Sequence, residues 1–137
     1  MALTKLAACR IYSALYNAAA MKLYRWNDIQ TEHLSETVSR QVLHADMMTI
    51  ARLLFKQGAV VPRHSHANEQ ITTVESGRLL FTFDEDHIIV ERGESLQIPG
   101  NLAHRVEALE DSVAVDVFSP PRQDWISGDD AYLRSAR

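Results

Sequence analysis

The sequence of 137 residues contains one cysteine, Cys9, so no internal disulfide can form. This is compatible with a reducing compartment, and we expect a cytoplasmic protein. No block of Lys or Arg is present, and the formal net charge is −4. Because nucleic-acid-binding surfaces are clustered and basic, the sequence predicts no nucleic-acid partner.

Long apolar runs are also absent. No stretch of about 18 apolar residues occurs, so we predict no transmembrane helix and no membrane partner. The Ala-rich start of the chain is interrupted by Arg10, which leaves too short a hydrophobic region for a signal peptide. We interpret residues 1–20 as an N-terminal extension, helical or disordered, and residues 21–137 as the folded domain. A strand-like stretch is predicted to begin at Met21.

The remaining composition suits a single globular domain, because a chain of this length can bury one core without disulfides. From about residue 42, short apolar runs are separated by turn residues. Several runs alternate with a two-residue period, which is typical of half-buried strands. Many short strands separated by turns predict an all-β sandwich or closed barrel, with helix confined to the two ends. The strand candidates span residues 48–55, 70–74, 79–83, 87–91, 96–98 and 113–118.

Three of the six histidines form a pattern that is typical of a metal site. His64 and His66 are two residues apart, so they face the same side if both lie on one strand. Gln70 follows four residues later, and His104 lies on a distant strand candidate. Such nitrogen and oxygen ligands suit Zn, Ni, Mn, Fe or Co. The alternative is that these histidines are separate surface residues, since an isolated His-Ser-His motif is weak evidence for a metal.

Glu69 competes with Gln70 as a ligand because it is adjacent and anionic. On an extended strand, however, an odd-numbered residue faces away from the even-numbered His64 and His66. Alternation therefore favours Gln70. The other three histidines are interpreted as surface or hydrogen-bonded residues: His33, His44 and His87.

The spacing around these residues resembles the two motifs of the cupin superfamily. Gln70 replaces the usual Glu of the first motif, while Asn101 and Ala108 replace the usual Gly and Asn of the second. The matching residues are Gly58, His64, His66, Gln70 and Gly77 in the first motif, and Gly93, Pro99, Gly100 and His104 in the second. The resemblance implies a single cupin barrel, of the double-stranded β-helix or jelly-roll type. It also implies one divalent metal ion bound by His64, His66, Gln70 and His104.

Two further stretches resemble the pectin-degradation cupins related to KdgF. They are HSHANEQ at residues 64–70 and DVFSPPRQDW at residues 116–125. Those proteins convert cyclic 4,5-unsaturated monouronates, from pectin or alginate, into linear keto sugars. The resemblance implies this reaction, a small anionic sugar as substrate, and a homodimer. It also implies functional roles for Asp116, Phe118 and Arg122.

The residues support these roles in part. Asp116 and Phe118 share one face of their strand, opposite three valines, so either they face the lumen or the valines form the core and Asp116 faces solvent. Arg122 follows a Pro-Pro corner and either folds over the barrel mouth or is a solvated charge of the tail. Trp125 and Tyr132 are predicted to hold the C-terminal segment against the barrel.

The chemistry expected from the resemblance is metal-assisted acid–base catalysis. Arg122 would pair with the substrate carboxylate, Asp116 would transfer a proton, and Phe118 would pack against the sugar. The metal would polarise a sugar oxygen. Three alternatives remain open: a cupin dioxygenase that uses the same ligands with iron, a non-catalytic sugar-binding cupin, and a cupin with a different isomerase or lyase activity.

Overall fold

The structure is a computed structural model, and it describes residues 20–134. A 3-10 helix at Trp26–Asp28 precedes the strands, and two short helices follow them, α1 at Gln123–Ile126 and α2 at Ala131–Arg134. No helix within the described range is both long and apolar enough to span a membrane. The strands are β1 Glu32–His33, β2 Val38–His44, β3 Thr49–Phe55, β4 Val60–His64, β5 Glu69–Ser76, β6 Arg78–Thr82, β7 His87–Glu91, β8 Ser95–Ile98, β9 His104–Ala108 and β10 Ser112–Ser119.

The strands form two antiparallel sheets that enclose a common interior. One sheet has the order β1-β2-β3-β10-β5-β8 and the other the order β4-β9-β6-β7. The predicted all-β jelly roll is therefore confirmed. On β10, Ala114 and Phe118 are buried while the valines between them are only partly buried. The valine face is thus the outer face, and Asp116 lines the lumen.

The lumen has an apolar end and a polar end. Val61 of β4 lies opposite Val106 of β9, and Val74 of β5 lies opposite Ala114 of β10. Each large side chain buried in this apolar part stabilises the fold by roughly 1.5–3 kcal/mol. Toward the other end of the same strands, the inward positions become polar. The polar lining residues are His64, Gln70, Thr72, His104, Asp116 and Arg122.

The start of the domain differs from the sequence prediction, because β1 and β2 precede the strand candidate at residue 48 and no strand begins at Met21. Residues 21–25 form no strand and are exposed, so the predicted strand at Met21 is wrong. The strand β2, in contrast, was not evident because it buries the polar residues Arg40 and Gln41. The Gln41 amide donates to the carbonyl oxygens of Trp26 and Ile29, at 2.6 and 2.8 Å. A hydrogen-bonded side chain such as that of Gln41 can occupy a buried strand position, whereas Nη1 of Arg40 is buried without a hydrogen-bond partner. The extension predicted over residues 1–20 lies outside the described residues, apart from Ala20.

The C-terminal segment packs across the polar end of the barrel. Trp125 and Leu133 are buried, and Asp130 accepts a hydrogen bond from Arg40 Nη2 at 2.6 Å. The ring of Tyr132 stacks on His64, with centroids 4.5 Å apart. The prediction that Trp125 and Tyr132 hold this segment against the barrel is confirmed.

Candidate metal centre

Two of the predicted ligands are brought together by strand pairing. His64 is the last residue of β4, His104 is the first residue of β9, and the two lie opposite each other in register. His66 lies in the connection between β4 and β5, so strand alternation does not explain its direction. The backbone N–H of Asn101 donates to the carbonyl oxygen of His66 at 2.7 Å. The second-motif loop therefore holds His66 in place.

The same loop explains one departure from the usual cupin motif. Asn101 has a φ of 66°, in the left-handed region. After glycine, asparagine is among the residues that best tolerate this conformation, so Asn101 can replace the usual Gly. The preceding Gly100 lies against the carbonyl oxygen of Ala67, where an added Cβ would come within 2.4 Å. The two loops are thus packed too closely for a side chain at that position.

The three histidines converge within the lumen. One ligand-capable nitrogen atom from each ring lies within 4.8 Å of those of the other two. In each ring Nδ1 faces a backbone carbonyl oxygen, which can only accept, so Nδ1 carries the proton and Nε2 keeps its lone pair. Backbone contacts of this kind orient metal-binding histidines. The acceptors are Pro62 for His64 at 2.8 Å, Asn68 for His66 at 3.1 Å and Leu102 for His104 at 2.8 Å.

Gln70, and not Glu69, faces the histidines, as alternation predicted. Gln70 is buried, whereas Glu69 is exposed and accepts a hydrogen bond from Gln97 at 2.9 Å. The amide oxygen of Gln70 lies 3.0 Å from His66 Nε2. Because the proton of a neutral His66 is committed to Asn68, this contact joins two electron-pair donors. A cation bound by both atoms would make the contact favourable, so the residues present fit a metal ion.

The protonation of the cluster also suits a metal. Burial lowers the pKa of His64 to about 3 and that of His66 to about 4, and it lowers the pKa of His104 as well. The positive charge of Arg122 acts in the same direction on all three rings. The imidazoles are therefore neutral near pH 7, which is the form that binds metal.

Asp116 is connected to this cluster through Thr72. The Thr72 hydroxyl donates to Asp116 Oδ1 at 2.6 Å, and the Gln70 amide nitrogen donates to Thr72 Oγ1 at 2.8 Å. The residue as a whole keeps partial exposure, but burial of its carboxyl in the lumen raises the pKa of Asp116 to about 6. Thr72 was not among the residues predicted for the site. Its place two residues after Gln70 on one strand was the signal that could have identified it.

Arg122 is part of the lumen wall and not a solvated charge of the tail. Only 1% of it is exposed. Its Nε and Nη2 atoms donate to the two carboxylate oxygens of Asp124, at 2.9 and 2.7 Å, and Nη2 also contacts the Tyr132 hydroxyl at 2.5 Å. The guanidinium lies over the rings of Phe118 and Trp125, at 4.7 and 4.2 Å. The importance of Asp124, two residues after Arg122, was not predicted.

Phe118 contacts protein groups on two sides. Its ring meets His66 and Trp125 edge to face, with centroids 5.5 and 5.1 Å apart, and only 2% of the residue is exposed. These contacts support His66 and Arg122. The predicted packing of Phe118 against a sugar stays a prediction.

The remaining histidines lie elsewhere on the surface. His33, His44 and His87 are all exposed. His33 is hydrogen-bonded to Ser39 at 3.1 Å, and His44 to Thr49 at 2.8 Å. These positions agree with the surface interpretation.

The fold and the site together define a class: small antiparallel β-barrels with a metal-binding histidine cluster in the lumen. Residues 51–119 match the cupin domain family, and the chain belongs to it. The pectin degradation protein KdgF of Dickeya dadantii is 29% identical over 98 residues, which cover 69% of this chain and 89% of that protein. An uncharacterized protein of Streptomyces coelicolor is 27% identical over 103 residues, covering 74% and 98%.

Solved structures show the same fold. KdgF from Halomonas sp. superposes with a TM-score of 0.70 at 24% identity, covering 76% of this chain and 99% of that one. An RmlC-like cupin from Shewanella frigidimarina superposes with a TM-score of 0.71 at 22% identity, covering 77% and 96%. The matches to KdgF confirm the predicted resemblance to KdgF-like cupins.

Proposed function

We propose that this chain is a metal-dependent enzyme that converts cyclic 4,5-unsaturated monouronates into linear keto sugars. One observation carries the proposal: within one lumen, hydrogen bonds join the metal-ligand candidate Gln70 to Asp116 through Thr72. The candidate metal ligand and the buried carboxyl thus lie side by side, which supports a mechanism that combines a metal with acid–base catalysis. The name of the Dickeya relative, a pectin degradation protein, points to the same class of substrate.

The proposed reaction is an isomerisation. The hydroxyl at C1 of the sugar loses its proton, the bond between C1 and the ring oxygen breaks, and C1 becomes an aldehyde. The ring oxygen takes up a proton and remains on C5 as the hydroxyl of an enol. The enol becomes a ketone when C4 gains a proton and the C5 hydroxyl loses its own, so the number of protons is unchanged. No oxidant or reductant is needed.

Asp116 is the group proposed to move the proton. With its pKa raised to about 6 by burial, it can both gain and lose a proton near neutral pH, which is the requirement for general acid–base catalysis. The hydrogen bond from Thr72 holds the carboxyl in one orientation toward the lumen.

The proposed metal ligands are His64, His66, Gln70 and His104. A bound divalent cation would act as a Lewis acid toward a sugar oxygen. Gln70 contributes a neutral oxygen, so the ligand set leaves the charge of the cation uncompensated. Zn, Ni, Mn, Fe and Co all suit these ligands.

Arg122 is proposed to attract the substrate carboxylate. Asp124 and Tyr132 engage its Nε and Nη2 atoms, so Nη1 is the atom proposed to contact the substrate. Asp124 therefore positions the guanidinium, and the substrate is bound through one end of it and not through the whole fork.

The test is an ultraviolet assay of an unsaturated monouronate, run with and without oxygen. We expect the absorbance of the conjugated double bond to fall at equal rates in both conditions, and the activity to disappear after chelation. If the monouronate were consumed only when oxygen is present, the proposed reaction would be wrong and the protein would be a dioxygenase. Binding without turnover would replace it with a sugar-binding cupin.

We also propose a homodimer formed through the outer face of the larger sheet. An apolar row crosses β2, β3, β10 and β5 in register. Ile71, in this row, is 43% exposed, and apolar surface of this kind suits a second copy. The row consists of Leu43, Ile50, Val117 and Ile71. Light scattering of the wild type and of Ile71→Lys tests this: the wild type should have the mass of a dimer and the variant that of a monomer.

A further inference from the structure

Thr72 lies between the proposed metal ligand Gln70 and the proposed acid–base group Asp116. It is 1% exposed, and its hydroxyl accepts a hydrogen bond from the Gln70 amide at 2.8 Å and donates one to Asp116 at 2.6 Å. The Gln70 side chain also hydrogen-bonds to Asp116 directly. A hydroxyl has one proton to donate and two lone pairs to accept with. The donor–acceptor direction of one hydrogen bond therefore determines the direction of the other.

The direction of these bonds follows from the chemistry of the partners. An ionised Asp116 can only accept, so Thr72 must use its single proton there. Its oxygen is then left to accept, and only the nitrogen end of the Gln70 amide can donate to it. The amide oxygen must consequently point the other way, and it lies 3.0 Å from His66 Nε2.

If the Gln70 amide were turned by 180°, it would lose its hydrogen bond to Thr72, and its oxygen would no longer point toward the cation. Its oxygen would face the lone pairs of Thr72, and its N–H groups would face the position of the cation. Since the nitrogen and oxygen ends of an amide have nearly the same shape, packing alone does not distinguish them. The hydroxyl of Thr72 provides that distinction, together with the Asp116 carboxylate, which also accepts a hydrogen bond from the Gln70 side chain.

We propose that Thr72 is a positioning residue that fixes the Gln70 amide with its oxygen toward the metal and at the same time orients the Asp116 carboxyl. This inference rests on the proposed function, because it takes Gln70 as a metal ligand and Asp116 as the proton-transferring group.

The proposal also explains an amide at position 70, where the motif usually has a carboxylate. A Glu at this position would have no N–H to donate to Thr72. In a Gln70→Glu variant, two carboxylates would then compete for one hydroxyl proton. Either the new carboxylate or that of Asp116 would lose its hydrogen bond. An amide at position 70 therefore suits both the Thr72 hydroxyl and the Asp116 carboxylate, whereas a second carboxylate would not.

The experiment compares three single variants. Thr72→Val removes the hydroxyl but keeps the shape, and Thr72→Ser keeps the hydroxyl but removes a methyl group. Thr73→Val is the matched control, because Thr73 is the next residue on the strand and its hydroxyl contacts Ser95 at an exposed position. Co²⁺ affinity is measured by titration of the metal-free proteins, together with kcat and KM on the unsaturated monouronate and thermal melting.

We expect Thr72→Val to weaken Co²⁺ binding by about 10- to 100-fold, the usual effect of losing a partner that orients a metal ligand. Its kcat should fall while KM changes little, because Thr72 does not contact the substrate in this proposal. Thr72→Ser and Thr73→Val should remain close to wild type. If the role of Thr72 were the packing of its methyl group, Thr72→Ser would have a lower Co²⁺ affinity and kcat than Thr72→Val. That result would overturn the inference.

The two proposals fail in different ways. If wild-type protein binds Co²⁺ but does not convert the uronate, the proposed reaction is wrong, while the Co²⁺ affinities of the variants still decide the inference. If wild-type protein converts the uronate and Thr72→Val equals it in Co²⁺ affinity and kcat, the inference alone is wrong. Wild-type protein without Co²⁺ affinity would overturn both.

Discussion

His64 and His104 lie opposite each other on β4 and β9, and each is oriented by the carbonyl oxygen two residues before it, Pro62 and Leu102. Their ring centroids are 4.4 Å apart. Both imidazoles are thus fixed by their own backbone before any metal binds. A site that is preorganised in this way loses little freedom on binding, so each ring should contribute strongly to metal affinity.

Removal of one ring should therefore empty the site. We expect His104→Ala to lose most of its bound metal on dialysis. His104 is buried beside the other proposed ligands, and alanine has no atom that could bind the metal in place of the imidazole. Metal content is measured by mass spectrometry, and circular dichroism verifies that the variant is folded. The control is His87→Ala, at an exposed histidine. Equal metal content in the folded His104 variant and the control would contradict the prediction.

Alternation along the strands predicted a large part of the site. It assigned Gln70 to the lumen and Glu69 to the outside, and the residue spacing placed His64 and His104 on separate strands. Glu69 and Gln70 are neighbours on β5, so local strand geometry places them on opposite faces. That Gln70 is the one facing His64 and His66 depends also on the path of residues 65–68, which are not in a strand.

Other features depend on contacts between distant parts of the chain. His66 is held by Asn101, and β2 carries the buried Arg40 because Asp130, 90 residues away, pairs with it. Similarly, alternation left two possibilities for Asp116 until the outer position of the valine face was known. No local pattern contains such information.

The stability of the metal-free protein should fall as the pH decreases from 6.5 toward 5. The pKa values of His64 and His66 are lowered by burial to about 3 and 4, and that of His104 is also lowered, from an ordinary 6.5. In this pH window the unfolded chain binds up to three more protons at these rings than the folded chain, so acid favours unfolding. Asp116 opposes this, because its raised pKa of about 6 makes the folded state bind one more proton than the unfolded state.

The net difference of about two protons corresponds to a loss of about 1–3 kcal/mol per pH unit. Urea unfolding with excess chelator at pH 6.5, 6.0, 5.5 and 5.0 measures this dependence. A free energy of unfolding that is constant over this range, or that rises as the pH falls, would contradict it.

Removal of residues 1–20 should leave folding and metal content nearly unchanged. All proposed ligands lie at or beyond His64, and the first strand begins at Glu32. Thermal melting and metal analysis of the truncated protein test this. A large fall in melting temperature would show that the extension contributes to the stability of the barrel or of a dimer.

Arg122 should be needed both for substrate binding and for the local structure. We expect Arg122→Ala to raise KM, because the positive charge facing the substrate is lost. It should also lower the free energy of unfolding by about 1–3 kcal/mol, because Asp124 and Tyr132 lose a charged hydrogen-bond partner. Arg122→Lys keeps the charge without the planar fork, so it should recover part of the KM effect. An unchanged KM in Arg122→Ala would contradict the proposed contact with the carboxylate.

Asp116→Asn provides the most direct test of catalysis. Asparagine has nearly the same size and its amide oxygen can still accept the hydrogen bond from Thr72, but it cannot gain or lose a proton near neutral pH. If Asp116 transfers a proton, the variant should keep its metal and lose a factor of roughly 10²–10⁴ in kcat. The assay is the fall in ultraviolet absorbance of the unsaturated monouronate, and metal content is measured on the same samples. Asp86→Asn, in the exposed turn between β6 and β7, is the matched control and should equal wild type. Wild-type turnover by Asp116→Asn would show that the proton is transferred by another group.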